Sequence, residues 1–228
     1  MEQKNTCMEY EKVIEYIDGL IQKKELVVGS KLPTERAIAQ QLGVGRNSTR
    51  EALSILHGMG MLERVQGSGN YISADVRQSI KQMIQMMISL EMVTKQDVYT
   101  FRRTMDKAAG MLLVQKNPDE DVKEEFRKIL RLMENNNPEQ EAKLDKDFHQ
   151  MLLVATGNSL LMIIMEAVMD LYRQWIEDVL QRANASDKKK LLQFHRGMYQ
   201  AILDKDVELL FSEIDGHYDT IERLFGKE

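Results

Sequence analysis

Of the four histidines in this 228-residue chain, three stand where they could share one ion: His149, His195 and His217. Asp145 lies four residues before His149, so in a helix the two side chains project from one face. His195 and His217 flank a turn centred near Lys205. At 1.5 Å rise per residue each lies roughly 15–18 Å from that turn, which sets them at similar height across a helix hairpin. Neutral imidazoles with one carboxylate are ligands for a borderline divalent ion. The pattern predicts one divalent metal ion per chain at Asp145, His149, His195 and His217, Zn2+ by default, with Ni2+ or Mn2+ as alternatives. An Asp-x-x-x-His pair is also a common surface hydrogen bond, and a lone helical histidine is commonly structural. The competing outcome is therefore a polar network inside a bundle. The fourth histidine, His57, ends a different helix and is expected to be structural.

A second group has the chemistry of nucleic-acid edges. Arg46 and Arg50 are four residues apart at the start of a predicted helix, so they share a face with Asn47 beside them. Arginine pairs bidentately with guanine and asparagine with adenine, and either can hold phosphate. Arg36, at the start of the preceding helix, is placed to grip phosphate. Two arginines on one helix are commonly only a solvated face. The order of the surrounding elements favours DNA.

Those elements form two texts joined near residue 75. In the first, Val13, Ile14, Ile17, Leu20 and Ile21 repeat with helical period. An extended connector, residues 28–33, leads to Thr34, which can cap a short helix over residues 35–42. Gly43-Val44-Gly45 is a tight turn, and a third helix runs over residues 46–57 until Gly58 and Gly60 stop it. Residues 61–65 and 70–73 read as strands joined by the turn Gln66-Gly67-Ser68-Gly69. A helix, a glycine turn, a helix and a hairpin make a winged helix-turn-helix, whose second helix enters the major groove. The second text predicts helices over 77–91, 94–116, 119–135, 138–155, 159–183, 187–204 and 206–225, broken by Asn, Pro, Gly and Asp clusters. The fold class is mainly α: a winged helix-turn-helix over residues 8–74 (three helices plus a β-hairpin), then a seven-helix antiparallel bundle over 77–226. Met83, Met86, Met87 and Met92 are expected as core filler.

Composition narrows the classes. A net charge of −5 does not advertise nucleic-acid binding, so the DNA reading rests on a local basic face. No stretch reaches the ~18 apolar residues needed to span a bilayer, and the N-terminus has no apolar signal core. A single cysteine, Cys7, excludes an internal disulfide and fits a reducing cytoplasm; its segment is expected to fray.

The literal residues carry a resemblance. Leu32-Pro33-Thr34-Glu35-Arg36, Gln41-Leu42-Gly43-Val44-Gly45-Arg46, Arg50-Glu51-Ala52-Leu53, Gly60-Met61-Leu62-Glu63 and Gln66-Gly67-Ser68-Gly69 resemble the GntR family of bacterial regulators. The resemblance implies DNA contacts by Arg36, Arg46 and Arg50, with further contacts by Asn47, Ser48 and the wing around Gly67. Two positions depart from the family. Gly45 stands where most relatives have a capping Ser or Thr, and Ser68 where many have a basic wing residue. Asp145-Lys146-Asp147-Phe148-His149, Asn158, His195 and His217 resemble the FCD effector domain of the FadR branch, whose metal-holding members use one Asp and three His. The same resemblance implies a small carboxylate effector and puts Arg102 near it. Arg102 then either clamps that carboxylate or pairs with Asp106 at i+4. Tyr172 and Arg173 are further candidates to line the cavity.

The resulting expectation is a cytoplasmic, homodimeric transcriptional regulator that is not an enzyme. It would bind a palindromic double-stranded operator, act as a repressor and answer to a small carboxylate. Two readings compete. In one the metal itself is the signal, and in the other the Asp/His site is a metalloenzyme centre, although no general base beyond the ligands is evident.

Overall fold

The structure is a computed structural model that describes residues 8–135 and 140–225. Cys7, the expected helix start at Pro138 and the domain end at residue 226 lie outside the described residues. The chain divides into two compact units with the boundary between Ile80 and Lys81.

The first unit contains α1 (Glu9–Gln22), α2 (Glu35–Leu42), α3 (Arg46–Gly58), β1 (Leu62–Val65) and β2 (Gly69–Ile72). Val13 and Ile17 from α1, Ile38 from α2, Ala52, Leu53 and Leu56 from α3 and Leu62 and Ile72 from the hairpin bury themselves together. Burial of each of the valine, leucine and isoleucine side chains among them contributes roughly 1.5–3 kcal/mol before entropy is charged against it. Thr34 caps α2, its hydroxyl accepting from the Ala37 amide at 3.2 Å. Gly43 leaves the helix with φ 65°, the left-handed conformation that glycine adopts without steric cost. Strands β1 and β2 pair antiparallel, Leu62 opposite Ile72 through Val65 opposite Gly69, so the turn is one residue shorter than expected. The connector is also more than a connector. Lys31 bridges to Tyr71, and the Gly29 and Leu32 amides donate to the Ile72 and Asn70 carbonyls, adding a partial third strand to the wing.

Helix α4 (Arg77–Ser89) follows, then α5 (Lys95–Lys116), α6 (Glu120–Glu134), α7 (Glu141–Thr156), α8 (Ser159–Arg182), α9 (Ala185–Asp204) and α10 (Val207–Phe225). Helices α5 to α10 build one core around Phe126, Phe148, Met165, Tyr172, Met198 and Tyr218. Helix α4 buries none of its residues. Met83, Met86 and Met92 are 65%, 66% and 67% exposed, so the methionines expected as core filler here are not core. Their spacing fits an amphipathic face, but periodicity alone does not tell whether a face is covered within the chain. Asn158 and Asn184 cap α8 and α9 by accepting from Leu161 and Asp187 amides. Among the described residues no helix is long and apolar enough to cross a membrane.

Candidate functional site

Two sites emerge, one in each unit. In the first, helix α3 projects from a core that fixes its inner face through Thr49, Ala52, Leu53 and Leu56. That leaves Arg46, Asn47 and Arg50 exposed on the outer face, with Arg36 exposed on α2 and Gly67 at the wing tip with φ 75°. Arg50 is not idle: it and Arg64 of the wing both approach Glu35, at 3.4 and 3.7 Å. Exposed pairs of this kind contribute little and yield readily to phosphate. The weak Gly45 cap has a remedy that lies far away in sequence. The Glu9 carboxylate accepts from the Gly45 amide at 3.0 Å and from the Ser48 hydroxyl at 2.8 Å, and these two bonds hold its pKa below the usual carboxylate value. Ser48 is therefore half-buried and tied to α1. At the wing, the Ser68 and Tyr71 hydroxyls lie 2.6 Å apart, so the residue replacing the family's basic one packs locally.

In the second unit, the i, i+4 spacing on α7 and the α9–α10 hairpin bring Asp145, His149, His195 and His217 together, all four buried, with one ligand atom of each within 4.8 Å of the others. Asp145 Oδ1 is the hub. It lies 3.3 Å from His217 Nε2, 3.4 Å from His195 Nε2 and 3.6 Å from His149 Nε2, and the His195 and His149 Nε2 atoms are 3.4 Å apart. Ligand bonds of 2.0–2.1 Å to a tetrahedral ion imply ligand separations of about 3.3 Å. The donor set therefore fits a small divalent ion in both chemistry and spacing.

Electrostatics support the same use. Burial works against every charge here. It pushes the His217 imidazole down to about 3 and holds His195 below its ordinary value, so both are neutral, as a ligand must be. Burial would raise Asp145, but His149 and its other partners hold the carboxylate well below the usual range. His149 behaves differently: burial disfavours its cation, yet Asp106 and Asp145 raise its pKa above the ordinary value.

The residues around this cluster were only partly anticipated. Arg102 is buried, but its ion-pair partner is Asp145 Oδ2 at 3.6 Å rather than Asp106. Its guanidinium carbon sits 4.4 Å from the centre of the Tyr172 ring. Arg102 Nε, Asp145 Oδ2 and the Tyr172 hydroxyl are all buried without a hydrogen-bond partner among the described residues. Asp106 turns instead to His149 Nδ1 at 2.8 Å and accepts from the Tyr218 hydroxyl at 2.5 Å. Arg173 lies apart, exposed and facing Glu177. His57 is exposed at the end of α3 and has no part in this cluster. A cavity of about 280 Å³ reaches Asp145 and His195, with Leu180, Leu191 and Leu192 along its wall and Lys188 and Lys189 at its rim. Lys188 is bonded to Glu141 at 2.7 Å.

Residues 9–72 match the family described as bacterial regulatory proteins, gntR family, and residues 97–220 match the FCD domain. The Glc operon transcriptional activator of Escherichia coli (strain K12) is 25% identical over 224 residues, covering 93% of this chain and 87% of its own length. The HTH-type transcriptional regulator LutR of Bacillus subtilis (strain 168) is 27% identical over 188 residues, covering 80% and 85%. A solved structure described as Streptococcus agalactiae GntR superposes with a TM-score of 0.67 at 23% identity, covering 94% of this chain and 99% of that one, and shares its fold. These relatives are regulators, not enzymes. With a winged helix-turn-helix in one unit and an FCD domain covering more than half its length, the chain belongs to the GntR family of DNA-binding transcriptional regulators.

Proposed function

We propose that the protein is a cytoplasmic homodimeric repressor whose operator affinity is set by a small carboxylate bound beside a divalent metal ion. Residues 8–74 read the DNA and 77–226 hold the effector. Arg46, Asn47 and Arg50 meet base edges, while Arg36, Ser48 and the wing at Gly67 hold the backbone. Asp145, His149, His195 and His217 hold the ion, Zn2+ by default. The observation that carries this reading is the convergence of three imidazole nitrogens on one buried carboxylate oxygen at the end of a cavity.

When bound, the ion would supply an electrophile, and to take an anionic oxygen beside these four side chains it would expand beyond four ligands. The chain's own residues do the rest. Lys189 at the rim favours entry of an anion, and the leucine walls exclude water and strengthen the charge interactions inside. Arg102, with its Nε unpartnered and Tyr172 against its face, is the second anchor for the carboxylate. The effector prefers one arrangement of the paired DNA-reading domains and so shifts their population.

Thermal unfolding of the zinc-loaded protein against a panel of carboxylic acids tests the proposal. One acid is expected to raise the Tm by mass action, and to lose that effect in Arg102→Ala. A panel in which no acid stabilises the protein, while zinc itself changes DNA affinity, would favour a metal-sensing regulator. The Escherichia coli relative is named an activator, so the direction of control is read by transcription in vitro, where repression relieved by the acid is expected.

A further inference from the structure

We propose that Asp106, anchored by the Tyr218 hydroxyl, is the positioning residue that holds His149 with its Nε2 lone pair turned to the metal. The inference rests on the metal reading above and adds a residue outside the ligand set.

The two ring nitrogens of His149 face different ways. Nε2 looks into the cluster, 3.6 Å from Asp145 Oδ1 and 3.4 Å from His195 Nε2. Nδ1 looks out of it, 2.8 Å from Asp106 Oδ2, although the N–H is not aimed squarely at the oxygen. Neutral imidazole carries one proton, and a carboxylate only accepts. An ionised Asp106 therefore keeps that proton on Nδ1 and leaves Nε2 free to ligate. Asp106 is fully buried beside that nitrogen. It cannot swing away, because Tyr218 donates to the same oxygen at 2.5 Å.

The arrangement repeats one turn earlier. Arg102 and Asp106 are four residues apart on α5, as Asp145 and His149 are on α7. Arg102 approaches Asp145 Oδ2, which turns Oδ1 to the cluster, while Asp106 takes His149. One turn of α5 thus steers both ligands of the α7 pair. Neither His149 Nδ1 nor His217 Nδ1 makes a hydrogen bond among the described residues, but only His149 has a carboxylate facing that nitrogen, whereas His217 meets Asp145 through Nε2. Outer-shell carboxylates of this kind fix the tautomer and raise the basicity of the ligating nitrogen, and their loss commonly weakens metal binding about 10–100-fold.

The test measures zinc affinity of the full chain by competition with a chromophoric chelator, and the visible spectrum of the Co2+-substituted protein. An amide accepts or donates at Nδ1 equally well, so Asp106→Asn removes the tautomer preference. It is expected to weaken zinc binding about tenfold or more and to change the cobalt bands. Tyr218→Phe, which leaves the carboxylate in place but loose, is expected to weaken binding by a smaller factor. His217→Ala serves as the ligand control. If the wild type binds zinc and His217→Ala loses it, but both Asp106→Asn and Tyr218→Phe stay within twofold with unchanged cobalt spectra, this inference alone falls. If Asp106→Asn does not fold, the Tyr218→Phe result decides in the same way. A wild-type chain that binds no zinc overturns the inference together with the metal reading.

Discussion

His217 contributes to how the metal-free bundle responds to acid. Its folded pKa, pushed down by burial to about 3, lies below the ordinary histidine value of about 6.5. As pH falls below that ordinary value, the unfolded chain takes the proton first. Stability present above pH 6.5 is then lost progressively toward pH 3. His195 shifts in the same direction, and burial is again the main cause. His149, whose pKa is raised, has the opposite sign: it stabilises below its ordinary value and loses that contribution as pH rises through its folded one. The two lowered histidines act against the one raised, and the buried Asp145 and Asp106 carboxyls, also held low, add the same sign at lower pH, so the metal-free protein should destabilise on acidification, by up to about 1.4 kcal/mol per pH unit for each net proton taken up. Denaturant melts from pH 7 to 4 measure the slope. It should be shallower in His217→Gln, and a pH-independent stability in the wild type would contradict the assigned burial. At the DNA surface, Arg46→Ala and Arg50→Ala are each expected to cost about 1–3 kcal/mol of specific operator binding with the fold intact. Gel-shift affinities within twofold of wild type for both variants would remove α3 from the recognition role.

Elements show what was readable and what was not. Helix starts at Thr34 and Asn158 could be read locally, because a capping side chain bonds an amide only three residues away, whereas the helix expected from residue 187 begins earlier, at Ala185, capped by Asn184. The four-residue meeting of α7 with α9 and α10 was readable too, through helix rise and turn position. Contacts between distant segments were not. Glu9 capping α3 spans 36 residues, and nothing in the local text around Gly45 names its partner. The Arg102 and Asp106 pair on α5 was visible as an i, i+4 spacing, but spacing suggested that the two bond each other. Only the packing of α5 against α7 shows each taking a different partner. The same limit explains α4, whose methionine face has the period of a core helix and is nevertheless exposed. Gly60 gives a test at this scale. It leaves α3 with φ 77°, and an added Cβ would meet the Asp75 carbonyl oxygen. The left-handed conformation costs a side chain roughly 1–2 kcal/mol, and a backbone clash adds to it. Gly60→Ala should therefore lower the stability of the DNA-reading unit by more than about 2 kcal/mol, read by chemical denaturation. A loss below 0.5 kcal/mol, within the range of ordinary surface substitutions at about ±0.5 kcal/mol, would mean the turn is not held as described.

At the scale of the whole molecule, one winged helix offers few DNA contacts, and a net charge of −5 gives no general attraction to the polyanion. Symmetric pairing doubles the contacts and calls for a palindromic site. Sedimentation at micromolar concentration is expected to show a dimer, and a monomer both with and without DNA would contradict it. The ion and the acid are expected to act together on DNA affinity from a site in the other unit. The most direct measurement is fluorescence anisotropy of an operator, selected from random DNA by the purified protein, titrated with zinc-loaded and zinc-free protein in the presence and absence of the stabilising acid. Reciprocal coupling predicts that the acid weakens operator binding about tenfold in the zinc-loaded protein and leaves the zinc-free protein unchanged. An equal effect of the acid in both forms, or none in either, would contradict the account.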